Sequence, residues 1–119
     1  MNLDTAISAH AAWKTKFRTA ITAKEPMDAA TIGKDNCCEL GKWLHGSGHG
    51  AYSSKPDFTS LIQKHKAFHV EAGKVASLIN AKKYEEAEKA IAGATPFGAA
   101  SNETTIAINR LKKAISEAV

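Results

Sequence analysis

Apolar residues recur every three or four positions along most of the chain, which is the spacing of one face of an α-helix. Long runs in which apolar and polar residues alternate, as half-buried strands require, do not occur. The chain also has only three prolines. The pattern therefore predicts an all-α fold.

The first predicted helix runs from Asn2 or Asp4 to Lys24 and ends before Pro26. Its apolar face contains a histidine, because His10 lies in step with the aromatic and aliphatic residues on either side of it. We therefore expect His10 to point into the interior. The positions on this face are Leu3, Ile7, His10, Trp13, Phe17 and Ile21.

A second, shorter helical stretch is predicted over residues 28–44, with an interruption near Gly33 to Asn36. The glycine-rich residues 46–50 are predicted to form a loop. The sequence Ser-Lys-Pro-Asp at residues 54–57 is typical of the start of a helix.

The third long helix, about residues 57–79, has the clearest pattern, and both of its histidines occupy core positions. Its stripe is Phe58, Leu61, Ile62, His65, His69, Ala72, Ala76 and Ile79. A final helical region begins near Tyr84, and Gly93, Pro96 and Gly98 predict a break or kink within it.

Four helical regions with short connections favour an antiparallel four-helix bundle, with an additional short helix or a kinked last helix. The length of 119 residues is that of a single domain, residues 1–119.

Composition narrows the class of protein. Apolar residues make up 44% of the chain and charged residues 24%, as in globular proteins generally. The net charge of +4 is spread over scattered lysines, so we expect no nucleic-acid partner. No apolar run is long enough to cross a membrane, and the N-terminus does not resemble a secretory signal. These features predict a cytoplasmic protein without direct membrane contact.

The candidate chemistry lies in three inward-facing histidines and a cysteine pair. His65 and His69 are four residues apart, so they share one helical face within reach of a single ion. His10 faces inward from another helix, and a buried imidazole is costly unless it is satisfied. Three imidazoles and one thiolate would form a closed tetrahedral zinc site.

The identity of the thiol is open at this point. Cys37 shares a helical face with Leu40 and Leu44, so periodicity alone slightly favours Cys37 over Cys38. The other two histidines, His45 and His49, are in or beside the predicted glycine loop and are expected at the surface.

Catalysis fits this ligand set less well than binding. The helix pair lacks the glutamate of a HExxH protease, and four protein ligands leave no position for an activated water. CxxCH and Glu-x-x-His motifs are also missing. The chain is therefore not predicted to be an enzyme. A metallohydrolase whose cysteine is displaced by water and a histidine phosphotransfer bundle remain distant alternatives.

Three motifs in order resemble those of the chemoreceptor zinc-binding (CZB) domain family of bacterial chemoreceptors and diguanylate cyclases. They are His10-x-x-Trp13, Cys38-x-Leu40-Gly41-x-Trp43 and His65-x-x-x-His69. The resemblance covers residues 3–115. It implies a small helical bundle with one Zn²⁺ held by His10, Cys38, His65 and His69, and so it selects Cys38 as the thiol.

The resemblance also places other residues around the site, namely Trp13, Trp43 and Gly41. Three neutral imidazoles and one thiolate would leave a net positive charge at Zn²⁺, so a carboxylate is expected nearby. Asp35 is the first choice, with Asp28 and Glu39 as alternatives.

The implied function is that of a sensory or regulatory domain in bacterial chemotaxis or cyclic-di-GMP signalling. It would sense zinc, or an oxidant such as hypochlorous acid through the zinc-bound thiolate. The implied partners are a second copy of the chain and an output module, a chemoreceptor or diguanylate cyclase, in cis or in trans. The alternative is a purely structural zinc site that stabilises a dimerisation module.

Overall fold

Seven helices account for most of residues 2–117, the part of the chain that the computed structural model describes. No strand occurs among those residues, so the predicted all-α fold is confirmed. Residues 1, 118 and 119 of the predicted domain lie outside the described part. The helices are α1 (Leu3–Ala23), α2 (Ala29–Ile32), α3 (Glu39–Leu44), α4 (Ser47–Tyr52), α5 (Pro56–Asn80), α6 (Tyr84–Ala90) and α7 (Pro96–Glu117).

The ends of α1 and α5 follow from their sequences. Asn2 caps α1, since its side-chain oxygen accepts a 3.1 Å hydrogen bond from the Thr5 N–H. Lys24 ends the helix in the left-handed conformation, with φ of 56°. Pro56 is the first residue of α5, where its missing N–H costs no helical hydrogen bond.

The second helical region is broken where the sequence predicts it, because α2 ends at Ile32 and α3 begins at Glu39. The prediction of a loop at residues 46–50 is wrong, since α4 covers Ser47–Tyr52. The reason is packing against Trp43. Gly48 is buried there, and a Cβ on it would lie 2.6 Å from the Trp43 ring.

The four helical regions run in alternating directions, as predicted. The segment from α2 to α4 runs opposite to α5, because Met27 contacts Asn80, Ile32 contacts His69, and Trp43 contacts Phe58. The last region is split into α6 and α7, as the glycines and proline predict. In α7, Phe97 packs on Phe68 and Lys112 pairs with Asp4, so α7 runs opposite to α1 and α5.

The apolar core consists of two clusters, one toward each end of the bundle. One cluster includes Phe17, Phe68, Val75, Ile91 and Phe97, and the other includes Leu3, Leu44, Phe58, Leu61 and Leu111. His10 lies between Ala6 of one cluster and Phe17 of the other, and His65 lies between Leu61 and Phe68. The buried histidines therefore form a polar layer between two apolar clusters.

Among the described helices, none is both long enough and apolar enough to cross a membrane.

Candidate metal centre

Three imidazoles and one thiol converge in the polar layer. His10 comes from α1, His65 and His69 come from α5, and Cys38 immediately precedes α3. One potential ligand atom from each residue lies within 4.8 Å of the others. The Nε2 atom of His65 is 3.1 Å from that of His10 and 3.0 Å from that of His69. The structure thus brings together all four sequence-predicted ligands.

The Cys38 sulfur faces the same point. Its Sγ atom is 3.2 Å from Nε2 of His65, 3.5 Å from Nε2 of His69 and 4.0 Å from Nε2 of His10. In a tetrahedral zinc site, the ligand bond lengths imply about 3.3 Å between nitrogens and about 3.6 Å from nitrogen to sulfur. The four atoms therefore have the separations of a single tetrahedral site.

Two backbone carbonyls orient two of the rings. The Nδ1–H of His10 donates to the carbonyl oxygen of Ala6 at 2.7 Å, and the Nδ1–H of His69 donates to that of Ile32 at 2.8 Å. In a neutral imidazole with a protonated Nδ1, Nε2 carries a lone pair. Both rings therefore direct an acceptor nitrogen toward His65 and Cys38.

His65 differs from the other two ligands. Its Nδ1 atom is buried and has no hydrogen-bond partner among the described residues. Without a cation, its Nε2–H can donate to only one of the two neighbouring acceptor nitrogens, and the Cys38 thiol must supply the other proton. A divalent cation would replace both protons and engage all four lone pairs, so the donor set fits a metal ion.

Burial keeps the three imidazoles neutral. It lowers the pKa of His65 to about 2, and the adjacent His69 and His10 rings lower it further. Burial is also the main cause that lowers the pKa of His10 and of His69. Neutral imidazole is the form that binds metals, so these rings need lose no proton at neutral pH.

Cys38 is placed by a helix cap rather than by a helical face. Its backbone is extended, and its sulfur accepts a 3.3 Å hydrogen bond from the Gly41 N–H at the start of α3. Burial is the largest cause that raises the pKa of this thiol. Cys38 is therefore a thiol in the metal-free protein, and metal binding would release its proton.

The structure separates the two cysteines. Cys37 is exposed, and its Sγ atom lies 3.5 Å from Oδ1 of Asn36, away from the histidines. Periodicity favours Cys37 only if the residue is helical, and α3 begins after both cysteines. The motif-based choice of Cys38 agrees with the geometry.

The expected carboxylate does not contact a ligand. Asp35 lies beside the site, but its Oδ2 atom is 3.1 Å from Nε2 of the exposed His45. Its charge reaches the site only at longer range, where it raises the pKa of Cys38 and acts in the same direction on His69. Backbone carbonyls make the hydrogen bonds that were expected of a carboxylate. A carbonyl has no side-chain signature, so sequence reasoning missed both.

The two alternative carboxylates have other positions. Asp28 caps α2 by accepting hydrogen bonds from the Thr31 N–H at 3.2 Å and the Thr31 hydroxyl at 2.7 Å. Glu39 is exposed in the first turn of α3. Neither hydrogen-bonds a ligand side chain within residues 2–117.

Gly41 allows two backbone segments to touch beside Cys38. A Cβ atom on Gly41 would overlap the carbonyl oxygen of Asp35, so only glycine fits there. The segment before α3 therefore folds back against the first turn of the helix. This close approach holds the Cys38 sulfur toward the histidines.

The tryptophans flank the site unequally. Trp13 packs on Phe17 at 5.4 Å between ring centroids and lines a cavity together with His10 and Cys38. Trp43 packs instead on Tyr52 and Phe58 in the neighbouring apolar cluster.

Phe68 was not singled out as a site residue from the sequence, yet its ring meets those of His10 and His69 edge-on at 5.2 and 5.4 Å. His45 and His49 are exposed and outside the cluster.

Comparison with known proteins gives one match. The sequence profile of the chemoreceptor zinc-binding domain matches residues 10–76, which are more than half of the chain and include all four clustered residues. No curated protein and no solved structure matches the chain.

Proposed function

The chain belongs to the chemoreceptor zinc-binding domain family, and on that premise we propose that it binds one Zn²⁺ and regulates a bacterial signalling protein. His10, Cys38, His65 and His69 would hold the ion. The observation that carries the proposal is the meeting of three imidazole nitrogens and one sulfur at tetrahedral spacing in a buried layer. This family of sensory zinc-binding domains is not known to be catalytic.

Zinc suits this set of donors better than other common ions. Magnesium and calcium prefer oxygen ligands, whereas imidazole and thiolate together in a tetrahedron are typical of zinc. When bound, the ion would supply the positive charge that keeps the Cys38 sulfur deprotonated at neutral pH. It would also tie three chain segments to one point.

The protein's own contacts suggest how a signal would leave the site. Residues 33–38 connect α2 to α3 and carry Cys38. The segment is held on one side by the hydrogen bond from His69 to Ile32 and on the other by the Cys38 sulfur. If the sulfur leaves the site, this segment loses one of its two attachments to α5.

Two stimuli would act at this attachment. Withdrawal of zinc would remove the ion that joins Cys38 to the histidines. An oxidant such as hypochlorous acid would act on the same sulfur, because Cys38 is the only easily oxidised member of the set. Both would free residues 33–38, and an output module would respond to the resulting change in helix packing.

The second candidate function is a structural zinc site that only stabilises a dimerisation module. The same four residues support it, and it differs in one observable respect. A structural site would keep its zinc and its conformation under mild oxidation, whereas a sensory site would lose both. The distant alternatives have less support: a phosphotransfer bundle needs an exposed histidine, and His10, His65 and His69 are at most 3% exposed.

We further propose a homodimer that acts with a chemoreceptor or diguanylate cyclase module in the cytoplasm. Membership of the chemoreceptor zinc-binding family supports this assignment. The two free thiols agree with a reducing compartment.

The deciding experiment measures zinc content and conformation together. Protein purified without chelator should contain one zinc per chain by elemental analysis. Titration with hypochlorous acid should then release zinc and change hydrogen exchange in residues 33–38. Absence of any transition metal, with no uptake on titration, would refute the proposal. Retention of zinc after oxidation of Cys38 would favour the structural alternative.

A further inference from the structure

A cavity of about 240 Å³ lies between α1 and the start of α3 and reaches the ligand cluster. Two of the four clustered residues line it, His10 and Cys38, while His65 and His69 do not. Its other lining residues include Ala6, Ala9, Trp13 and Leu40. The cavity is therefore a space on one side of the site.

Solvent exposure makes Cys38 the accessible ligand. His10, His65 and His69 are 3%, 0% and 2% exposed, whereas Cys38 is only partly buried. Exposed residues of α1, among them Ala9 and Lys16, mark the solvent side of the cavity. The ammonium group of Lys16 lies 4.5 Å from the centre of the Trp13 ring, so both side chains border the opening.

The size and polarity of this space restrict what can enter it. A water molecule occupies about 30 Å³ in the liquid, so the cavity has room for small molecules but not for a folded partner. Its walls are mostly apolar, and a charged reagent would lose hydration there without matching partners. Small uncharged molecules are the class that fits.

We propose that this cavity is the access route by which small, uncharged oxidants reach the Cys38 sulfur. The inference rests on the proposed function, because it assumes that oxidation of Cys38 is the signal. It adds a gate to the site: Ala9, Trp13 and Lys16 decide which reagents arrive. Hydrogen peroxide and hypochlorous acid are small and uncharged, whereas larger or anionic thiol reagents are excluded.

The reaction at the end of the route is simple. With hydrogen peroxide, an electron pair of the Cys38 thiolate attacks one oxygen, an S–O bond forms, and the O–O bond breaks. The sulfur becomes a sulfenic acid and the other oxygen leaves as hydroxide. With hypochlorous acid the net change is the same, and chloride is the leaving group. The oxidant supplies both atoms and electrons, so no further reactant is needed.

The test narrows the opening without touching a ligand. Ala9→Phe places a ring at the solvent side of the cavity, and Ala11→Phe adds the same ring at an exposed position of α1 that does not line it. Mass spectrometry of zinc-loaded protein would follow hydrogen peroxide oxidation at each cysteine. The exposed Cys37 serves as the internal reference, because neither substitution alters access to it.

Ala9→Phe is expected to slow oxidation of Cys38 by about tenfold relative to Cys37, and Ala11→Phe is expected to change nothing. Zinc affinity should be the same in both variants. If Ala9→Phe binds zinc poorly, Thr5→Phe narrows the same cavity from one turn earlier in α1. Equal Cys38 rates in the narrowed and control variants would overturn the proposal.

A second measurement tests the selection by charge. Methyl methanethiosulfonate is neutral, and its sulfonatoethyl analogue is anionic. The ratio of Cys38 to Cys37 modification should be lower for the anionic reagent, and equal ratios would overturn the claim that the route selects uncharged reagents. Failure of the proposed function gives a different result: Cys38 would be oxidised through the cavity, but zinc and residues 33–38 would stay in place.

Discussion

The imidazole of His69 donates a 2.8 Å hydrogen bond to the carbonyl oxygen of Ile32, the last residue of α2. This contact sets the orientation of a ligand on α5 by means of a backbone group 37 positions away in the sequence. It also ties the position of α2 to the metal centre. The other end of this segment is fixed by Met27, which exchanges two 2.7 Å hydrogen bonds with the Asn80 side chain.

His65→Ala and His69→Ala are expected to lower zinc affinity by more than the roughly 10–100-fold typical of losing an outer hydrogen-bond partner, because each removes a ligand. The melting temperature of the zinc-loaded protein should fall as well. Competition with a chromophoric chelator and calorimetry would measure these effects. His45→Ala and His49→Ala are the matched controls, since both side chains are exposed and outside the cluster. Equal effects from loop and helix histidines would place the site elsewhere.

Cys38→Ser is expected to weaken zinc binding and abolish the response to hypochlorous acid, because serine supplies no thiolate. Mass spectrometry after brief exposure should place the first oxygen on Cys38 in the wild type. Cys37→Ser is the control and should keep zinc affinity, since the Cys37 side chain points away from the histidines. First oxidation at Cys37, or tight zinc binding by Cys38→Ser, would contradict the sensing proposal.

The metal-free protein should lose stability in mild acid. The pKa values of His10, His65 and His69 are lowered in the folded state, so the unfolded chain binds protons more readily. Their contribution to stability is complete above the ordinary histidine value of 6.5 and falls as the pH drops from there toward about 2 for His65. One such histidine gives a slope of about 1.4 kcal/mol per pH unit.

Urea unfolding with chelator present, between pH 7.5 and 5, would measure that slope. His65→Leu removes one titrating group and should make the dependence shallower, whereas His45→Ala should leave it unchanged. A metal-free protein whose stability is constant across this range would show that the three imidazoles are not buried together.

Gly41→Ala should destabilise the protein by at least about 1 kcal/mol and weaken zinc binding, since its Cβ would overlap the Asp35 carbonyl and displace residues 35–38. Gly50→Ala is the matched control, because a Cβ there meets nothing within 4 Å. Gly50 is inside α4, so alanine should be neutral or stabilise by up to about 1 kcal/mol. Thermal unfolding of both variants tests this, and equal stabilities would contradict the close approach at Gly41.

The proposed homodimer predicts twice the mass of the chain by light scattering at high micromolar concentration. The measurement should be made with zinc and again with chelator, because dimerisation that depends on zinc would link the oligomer to the site. A monomer throughout this range would count against the proposal.

The helix pattern could be derived from the sequence because a period of 3.6 residues maps directly onto one face of a helix. It placed His10, His65 and His69 inside, and the structure agrees. The ends of α1 and α5 also followed from local signals, Pro26 after one and Pro56 at the start of the other. These are properties of neighbouring residues, so no knowledge of the packing was needed.

Only the tertiary structure decided the rest. Residues 47–52 are helical because Gly48 packs against Trp43, a contact that outweighs the low helix propensity of glycine. Cys38 faces the histidines because Gly41 lets the chain fold back beside Asp35, whereas helical periodicity favoured Cys37. The groups that orient two ligand rings are carbonyl oxygens, which every residue possesses. Which of them meets an imidazole depends on where the chain is brought together in space, and one-dimensional spacing does not contain that information.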